Sequence, residues 1–185
     1  MQQPILTTPR LLLRPFCLDD ALEVQRLAGA FEIARVTLNV PHPYEDGMSE
    51  AWIATHARAF EDGRGACFAV VERGSDGLVG CIGLSIHAQH ARAELGYWLG
   101  VPFWNCGYMT EAAVALLQYG FETLELQRIQ SSHLSCNPAS GRVMQKIGMQ
   151  CEGTSRRAAL KWGEFHDLVR YGILRDEWQA IKNST

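Results

Sequence analysis

The chain has 185 residues, is 47% hydrophobic and 20% charged, and carries a formal net charge of -3. Length and polarity fit one ordinary globular domain over residues 1–185 and exclude wholesale disorder. Clustered Lys and Arg of the kind that grip nucleic acid or an anionic membrane are missing from this balance, so neither is expected as a partner.

In chain order, Leu11–Phe16 reads as a short strand after the Thr8-Pro9 turn. Leu11-Leu12-Leu13 is too short for a signal sequence, and no stretch approaches the roughly 20 apolar residues of a membrane-spanning helix. The expected compartment is therefore the cytoplasm. Asp19 is expected to cap a helix running to Ala28, with Leu22, Val24 and Leu27 as its apolar positions. Pro41-His42-Pro43 breaks the chain within a long segment, Arg35 to Gly47, that suits a mobile loop beside an acceptor. Ser49 to Phe60 returns to helical periodicity and stops at Asp62-Gly63.

Three strands follow: Ala66–Glu72 and Leu78–Ile86 around the turn Gly74-Ser75-Asp76-Gly77, then Ala91–Leu99. Alternation puts Ala93, Leu95, Tyr97 and Leu99 on one face of the third strand and Glu94, Gly96 and Trp98 on the other. A loop, Gly100–Cys106, leads to a helix from Gly107 to Glu122. Gln127–Leu134 is a strand, Pro138–Ile147 a short helix, and Gln150–Leu160 with Phe165–Arg175 a closing hairpin around Trp162-Gly163. This order predicts an α/β fold with a mixed, mostly antiparallel sheet of six to seven strands, about four helices and one right-handed β-α-β crossover.

The cysteines, Cys17, Cys67, Cys81, Cys106, Cys136 and Cys151, are scattered without any C-x-x-C. They are expected to be free and mostly buried thiols. His87-x-x-His90 lacks companions at ligand spacing, so no metal is expected.

Two helix starts carry the chemistry. The unpaired N–H groups at the start near Gly107 favour an anion, Gly107 admits close approach, and Thr110 offers a hydroxyl. Glu111 would repel phosphate if it pointed there. About thirty residues on, Asn137 suits an N-cap, Pro138 a first helical position, and Ser140 can face a cleft between diverging strands. Walker-type, dinucleotide-type and nucleophile-elbow motifs are absent.

Four stretches together resemble the GNAT acetyltransferases, in the branch of the RimJ/RimL protein N-terminal acetyltransferases. They are Thr8-Pro9-Arg10-Leu11-x-Leu13-Arg14 with Asp20-Ala21, Glu94-Leu95-Gly96-Tyr97-Trp98-Leu99, Trp104-x-x-Gly107-Tyr108-x-Thr110-Glu111-Ala112, and Asn137-x-x-Ser140-x-x-Val143-x-x-Lys146-x-Gly148. The resemblance implies acetyl-CoA as cosubstrate, no metal, a V-shaped opening between the fourth and fifth predicted strands, and a possible homodimer.

It also implies roles. Leu99, Gly100 and Val101 would hydrogen-bond the pantetheine arm through backbone. Asn105, Cys106, Gly107, Tyr108, Met109 and Thr110 would cradle the pyrophosphate. Asn137 would bond the pantetheine, and Ser140 would lie near the sulfur. Relative to the family's Gly-Lys-Gly-Tyr-Ala, this chain has Asn105-Cys106-Gly107-Tyr108-Met109, losing a Lys and placing a bulky Met where phosphate approaches. The tyrosine that many relatives use as general acid falls at Met144, so Ser140 would donate a hydrogen bond to the thiolate instead.

An α-amine, with pKa about 7.7–8.0, loses its proton more easily than Lys at about 10.4, so a modest base suffices. Glu94 is the candidate, with Glu152 and Glu164 as fallbacks. Cys106 and Cys136 invite a covalent route, but the resemblance implies direct transfer in a ternary complex. The expected function is transfer of acetyl to a protein N-terminal amine. Acetylation of a small amine (polyamine, amino acid or antibiotic) and a non-catalytic CoA-binding module are the alternatives.

Overall fold

The computed structural model describes residues 2–184. Its centre is an eight-stranded sheet in the order β1-β2-β3-β4-β5-β6-β8-β7. β1 (Leu6–Thr7) and β2 (Leu11–Arg14) form one edge. The hairpin strands β3 (Gly65–Glu72) and β4 (Leu78–His87) follow, then β5 (Arg92–Leu99). β6 (Arg128–Leu134), β8 (Glu164–Leu174) and β7 (Gln150–Lys161) complete the other half. Every neighbouring pair is antiparallel except β5 and β6.

That exception shapes the molecule. β5 and β6 pair over Arg92, Ala93 and Glu94 against Arg128, Ile129 and Gln130, and then diverge. At the fork the Ser131 hydroxyl donates 2.8 Å to the Leu95 carbonyl, standing in for the next ladder bond. Beyond it the sheet opens into the V implied by the resemblance.

Helices cover both faces. α4 (Tyr108–Gln118) crosses from β5 to β6, and α5 (Pro138–Lys146) links β6 to β7. Together with α6 (Arg175–Asn183) they bury the larger core, where Phe68, Leu116, Phe121 and Ile129 are 0% exposed. Burying such a side chain stabilises the fold by roughly 1.5–3 kcal/mol. On the opposite face α1 (Ala21–Ala28), α2 (Phe31–Ala34) and α3 (Met48–Glu61) pack on Ala69, Val71, Cys81 and Trp98. Alternation along β5 thus sends Leu95 and Tyr97 to the first core and Trp98 to the second.

The fold class is the predicted one, with differences of detail. Eight strands replace six to seven because Leu6–Thr7 adds a two-residue edge. The first predicted strand stops at Arg14, since Pro15 has no N–H to give the ladder. Asp20, not Asp19, serves the helix start: its carboxylate accepts the Cys17 N–H at 2.9 Å, and a single 3-10 turn precedes α1. The helix expected to run to Glu122 is α-helical only to Gln118 and then widens into a π turn, Tyr119–Thr123.

Among the described residues the α-helices number six, not four, because α2 is short and α6 is mostly polar around one anchor, Trp178, stacked on Phe121. The cysteines are free, but the expectation that most are buried fails. Cys17, Cys106, Cys136 and Cys151 are exposed, Cys67 is half-buried and only Cys81 is buried. The 35–47 segment is a tied wall: the Asn137 side-chain amide donates to the Val36 carbonyl at 3.1 Å, and Thr37 Oγ1 to Ile33 at 2.8 Å. Among the described residues no helix is long and apolar enough to cross a membrane.

Candidate active site

The V opens into a cleft of about 1210 Å³, more than the roughly 300–1,000 Å³ of a single small-molecule site. It has room for two substrates. Tyr97, Leu99 and Asn105 line one side, Ser132, Cys136 and Ser140 the other.

Backbone comes first. The Gly100 N–H donates to the Val79 carbonyl, so Gly100 points to β4. Antiparallel alternation then aims the peptide groups of Leu95, Tyr97 and Leu99 at the V. The Leu95 carbonyl takes the Ser131 hydroxyl, and the Trp104 indole N–H donates 2.6 Å to the Leu99 carbonyl. With β6 departed, the Tyr97 peptide and the Leu99 N–H have no strand partner. Gly100, expected to contribute its backbone, has its N–H committed to β4.

At the mouth, Gly107 caps α4 with φ 80° and no side-chain hydrogen bond, and Asn105 adopts φ 63°. Asn tolerates that left-handed conformation better than most residues. The N–H groups of Tyr108, Met109 and Thr110 open the helix, whose first intrahelical bond runs from Glu111 N to Gly107 O. Two sequence-based concerns are corrected here. The Met109 side chain is 5% exposed within the larger core. Glu111 turns away from the helix start to Thr8 Oγ1 at 2.6 Å and the Arg10 Nε at 2.7 Å. Burial opposes its charge, but the hydrogen bonds from Thr8 and Arg10 win and hold the carboxyl below its ordinary range.

Arg10 is a residue the sequence reading did not single out at this loop. Its guanidinium donates to the Cys106 carbonyl at 3.0 Å and lies 4.8 Å from the Tyr108 ring centroid. It thereby brings a cation to a loop that has lost a Lys.

At the other helix start, the Asn137 side chain accepts the Ser140 N–H at 3.2 Å while its amide holds Val36. Both ends of Asn137 therefore serve the fold. Gly141 lets α5 settle on β6, because a Cβ there would come within 2.7 Å of His133 Nε2. This seating brings the Ser140 hydroxyl to 2.8 Å from the Tyr97 hydroxyl, which also donates to the Ser140 carbonyl at 3.1 Å. Burial pushes the Tyr97 phenol up to about 12, against the opposing hydrogen bond from Ser140. Met144 is 1% exposed and packed in the core.

Glu94 is exposed on the α1–α3 face of β5 and lines the cleft. Among the described residues it joins no salt bridge. The fallback carboxylates sit elsewhere: Glu152 is held by Arg128 in a two-pronged pair at 2.6 and 2.5 Å, and Glu164 starts β8 at the hairpin tip. Neither lines the cleft. Beside Glu94 the sheet face is floored by Gly83 and Gly96, paired across β4 and β5. A Cβ on Gly96 would meet nothing within 4 Å, so a slot stands open over the middle of the sheet.

A model of the acetyltransferase (GNAT) domain matches residues 10–150. The uncharacterized N-acetyltransferase YoaA of Bacillus subtilis (strain 168) is 33% identical over 174 residues, covering 93% of this chain and 97% of that protein. A ribosomal protein uS5-alanine N-acetyltransferase of Escherichia coli (strain K12) is 29% identical over 94 residues, 51% of this chain and 46% of that one. The structure of RimL, a ribosomal alpha-N-protein acetyltransferase in complex with coenzyme A, has a TM-score of 0.86 over 94% of this chain and 99% of that one. Its 17% identity makes that a likeness of fold.

The chain belongs to the GNAT acetyltransferases. It is an N-acetyltransferase, of a family that uses acetyl-CoA.

Proposed function

We propose that the protein transfers acetyl from acetyl-CoA to the α-amine of a protein or peptide N-terminus, directly, in a ternary complex. The observation that carries the acceptor class is the charge of the cleft. Glu94 is the sole carboxylate among its described lining residues, against Arg35, Arg64, Arg142 and Lys146. Such a lining suits one ammonium group and disfavours a polycation such as a polyamine.

The donor side fits acetyl-CoA on this chain's own geometry. The free Tyr97 peptide and Leu99 N–H would pair with the pantetheine amides, the opening N–H groups of α4 would hold the pyrophosphate, and Arg142 and Lys146 add positive charge along α5. Acetyl-CoA supplies the activated acyl group. Glu94 takes the proton of the incoming ammonium, and a backbone N–H near Leu99 polarises the carbonyl. Ser140 hydrogen-bonds the leaving sulfur as the C–N bond forms and the C–S bond breaks, and the second amine proton passes to that sulfur, which leaves as the thiol. Burial keeps the Tyr97 phenol protonated, and its two contacts with Ser140 make it a positioning residue for that hydroxyl.

Titration calorimetry with acetyl-CoA tests the donor, and absence of heat at millimolar ligand rejects it. Thiol release with peptides beginning in Ala or Ser, set against spermidine and free amino acids, tests the acceptor. Greater turnover of spermidine would reverse the assignment.

Two variants separate the sides. Gly107→Ala forces a Cβ onto a left-handed residue and toward Arg10 Nη2 at 3.4 Å, so acetyl-CoA affinity is expected to fall about tenfold, the scale of a 1–3 kcal/mol strain. Gly96→Leu sends a side chain into the slot from a Cβ position that meets nothing within 4 Å. Its expected result is an acceptor KM raised about tenfold or more with acetyl-CoA affinity unchanged, read by calorimetry and steady-state kinetics.

A further inference from the structure

On the acceptor face of the sheet, three chemistry-bearing groups lie together that acetyl transfer does not use. Cys67 of β3 and Cys81 of β4 place their sulfurs 3.4 Å apart. His56 of α3 lies beside Cys67, its Nδ1 buried and without a hydrogen-bond partner among the described residues. All three line the cleft, Cys67 half-buried and Cys81 5% exposed. Phe16 and Trp52 fix the imidazole from two sides, with ring centroids at 5.4 and 4.4 Å.

We propose that Cys67 and Cys81 form a dithiol modification site for hydroperoxides, with Cys67 the attacking sulfur and Cys81 the resolving one.

The environments of the two sulfurs differ in the required sense. The Cys81 S–H beside it, helped by the His56 imidazole, holds the Cys67 thiol down to about 6 against the burial that opposes ionisation. Burial pushes the Cys81 thiol well up, so it keeps its proton. Cys67 is thus the readier of the two to ionise and Cys81 the donor beside it.

In the first step the Cys67 thiolate attacks one peroxide oxygen. An S–O bond forms, the O–O bond breaks, and the departing hydroxide or alkoxide takes a proton to leave as water or alcohol. In the second, the Cys81 sulfur attacks the Cys67 sulfenic acid. The S–S bond forms, the S–O bond breaks, and hydroxide leaves with the Cys81 proton as water. Two thiols are oxidised by two electrons and one peroxide is reduced.

The register bears on how easily this reverses. Cys67 faces Gly83 and Cys81 faces Ala69, so the pair is diagonal across the hairpin. Diagonal Cα atoms lie about 7–8 Å apart, beyond the usual disulfide span of roughly 4.4–6.8 Å. Closing the sulfurs to about 2.05 Å draws β3 and β4 together and stores strain, which makes the bridge readily reducible. Gly83, between Cys67 and Gly96, moves with it and narrows the slot.

The test uses the full chain with one equivalent of hydrogen peroxide, then alkylation and non-reducing peptide mass analysis. The expected product is 2 Da lighter, links the Cys67 and Cys81 peptides, and reverts with dithiothreitol, before Cys17, Cys106, Cys136 or Cys151 change. In Cys81→Ser the sulfenic acid should persist on Cys67 and react with dimedone. Oxidation of the four exposed thiols while Cys67 remains alkylatable overturns the proposal, as does a Cys81→Ser protein that dimedone does not label. The oxidised enzyme should also show a raised acceptor KM with unchanged acetyl-CoA affinity. That last readout rests on the proposed acceptor side, whereas the mass measurement stands whatever the acceptor is.

Discussion

Ser140→Ala is expected to lower turnover roughly 10–1000-fold, the range for removing one donor to a developing charge, while acetyl-CoA binding and thermal stability hardly change. The hydroxyl sits on the cleft side of α5, its backbone N–H is already held by Asn137, and its loss leaves the cap intact. Tyr97→Phe separates donation from orientation. It removes the 2.8 Å partner of Ser140 but leaves the serine able to donate, so a smaller loss of turnover is expected. Rapid single-turnover kinetics measures both. Wild-type rates in Ser140→Ala would remove that residue from the chemistry, and a Tyr97→Phe defect larger than that of Ser140→Ala would make the phenol the principal donor.

The second large effect is on the fold itself. Asp20→Ala is expected to destabilise the protein by about 3–5 kcal/mol, the cost of stranding one partner of a buried ion pair. The Asp20 side chain is 8% exposed and meets Arg14, 26% exposed, in a two-pronged contact at 2.7 and 2.8 Å. It also takes the Cys17 N–H. In a protein of this length each kcal/mol moves Tm by about 2–4 °C, so a fall of roughly 6–20 °C is expected. Replacing both partners by apolar residues of similar volume should cost less than the single change.

A pH effect follows from the same pair. Burial works to raise the Asp20 carboxyl, yet the Arg14 hydrogen bonds and the Cys17 N–H outweigh it and hold the acid below its ordinary value. A depressed folded-state pKa gives stability that is present above the unfolded value, about 3.9, and lost as pH falls through the folded one. Thermal melts should therefore weaken below about pH 4, and Asp20→Ala should flatten that slope. The effect reaches the cleft because the Phe16–Asp20 turn carries Phe16 against Trp52 at 5.1 Å, and Trp52 lines the cleft wall.

The local elements were legible because their signals are local. Alternation in 92–99, the turn at Gly74 to Gly77 and the Asn137-Pro138 helix start each need only a few neighbours to be read. The motif residues Arg10, Arg14 and Asp20 carried a resemblance but no physical reason until the fold supplied partners. Arg10 meets Glu111 from 101 residues away, and no window on the sequence spans that distance. The Tyr97–Ser140 contact depends likewise on β5 and β6 parting after Glu94, a property of two strands together. The cysteines misled because burial was inferred from residue type, whereas four of them fall on loops or an exposed edge strand. The Trp104 indole N–H rests on the Leu99 carbonyl, a bond that depends on the 3-10 turn Val101–Phe103 between them.

The parting of β5 from β6 leaves peptide groups of β5 that no neighbouring strand claims among the described residues. Three parallel residue pairs and the Ser131 hydroxyl hold the two halves along that seam. A ligand whose amides fill the unused peptide groups binds only the folded chain, and so contributes RT ln(1 + [L]/Kd) to its stability, about 2.7 kcal/mol at a hundredfold excess over Kd. Under the proposed function, the folded population of this enzyme would rise with acetyl-CoA concentration, read as a Tm that climbs with added ligand.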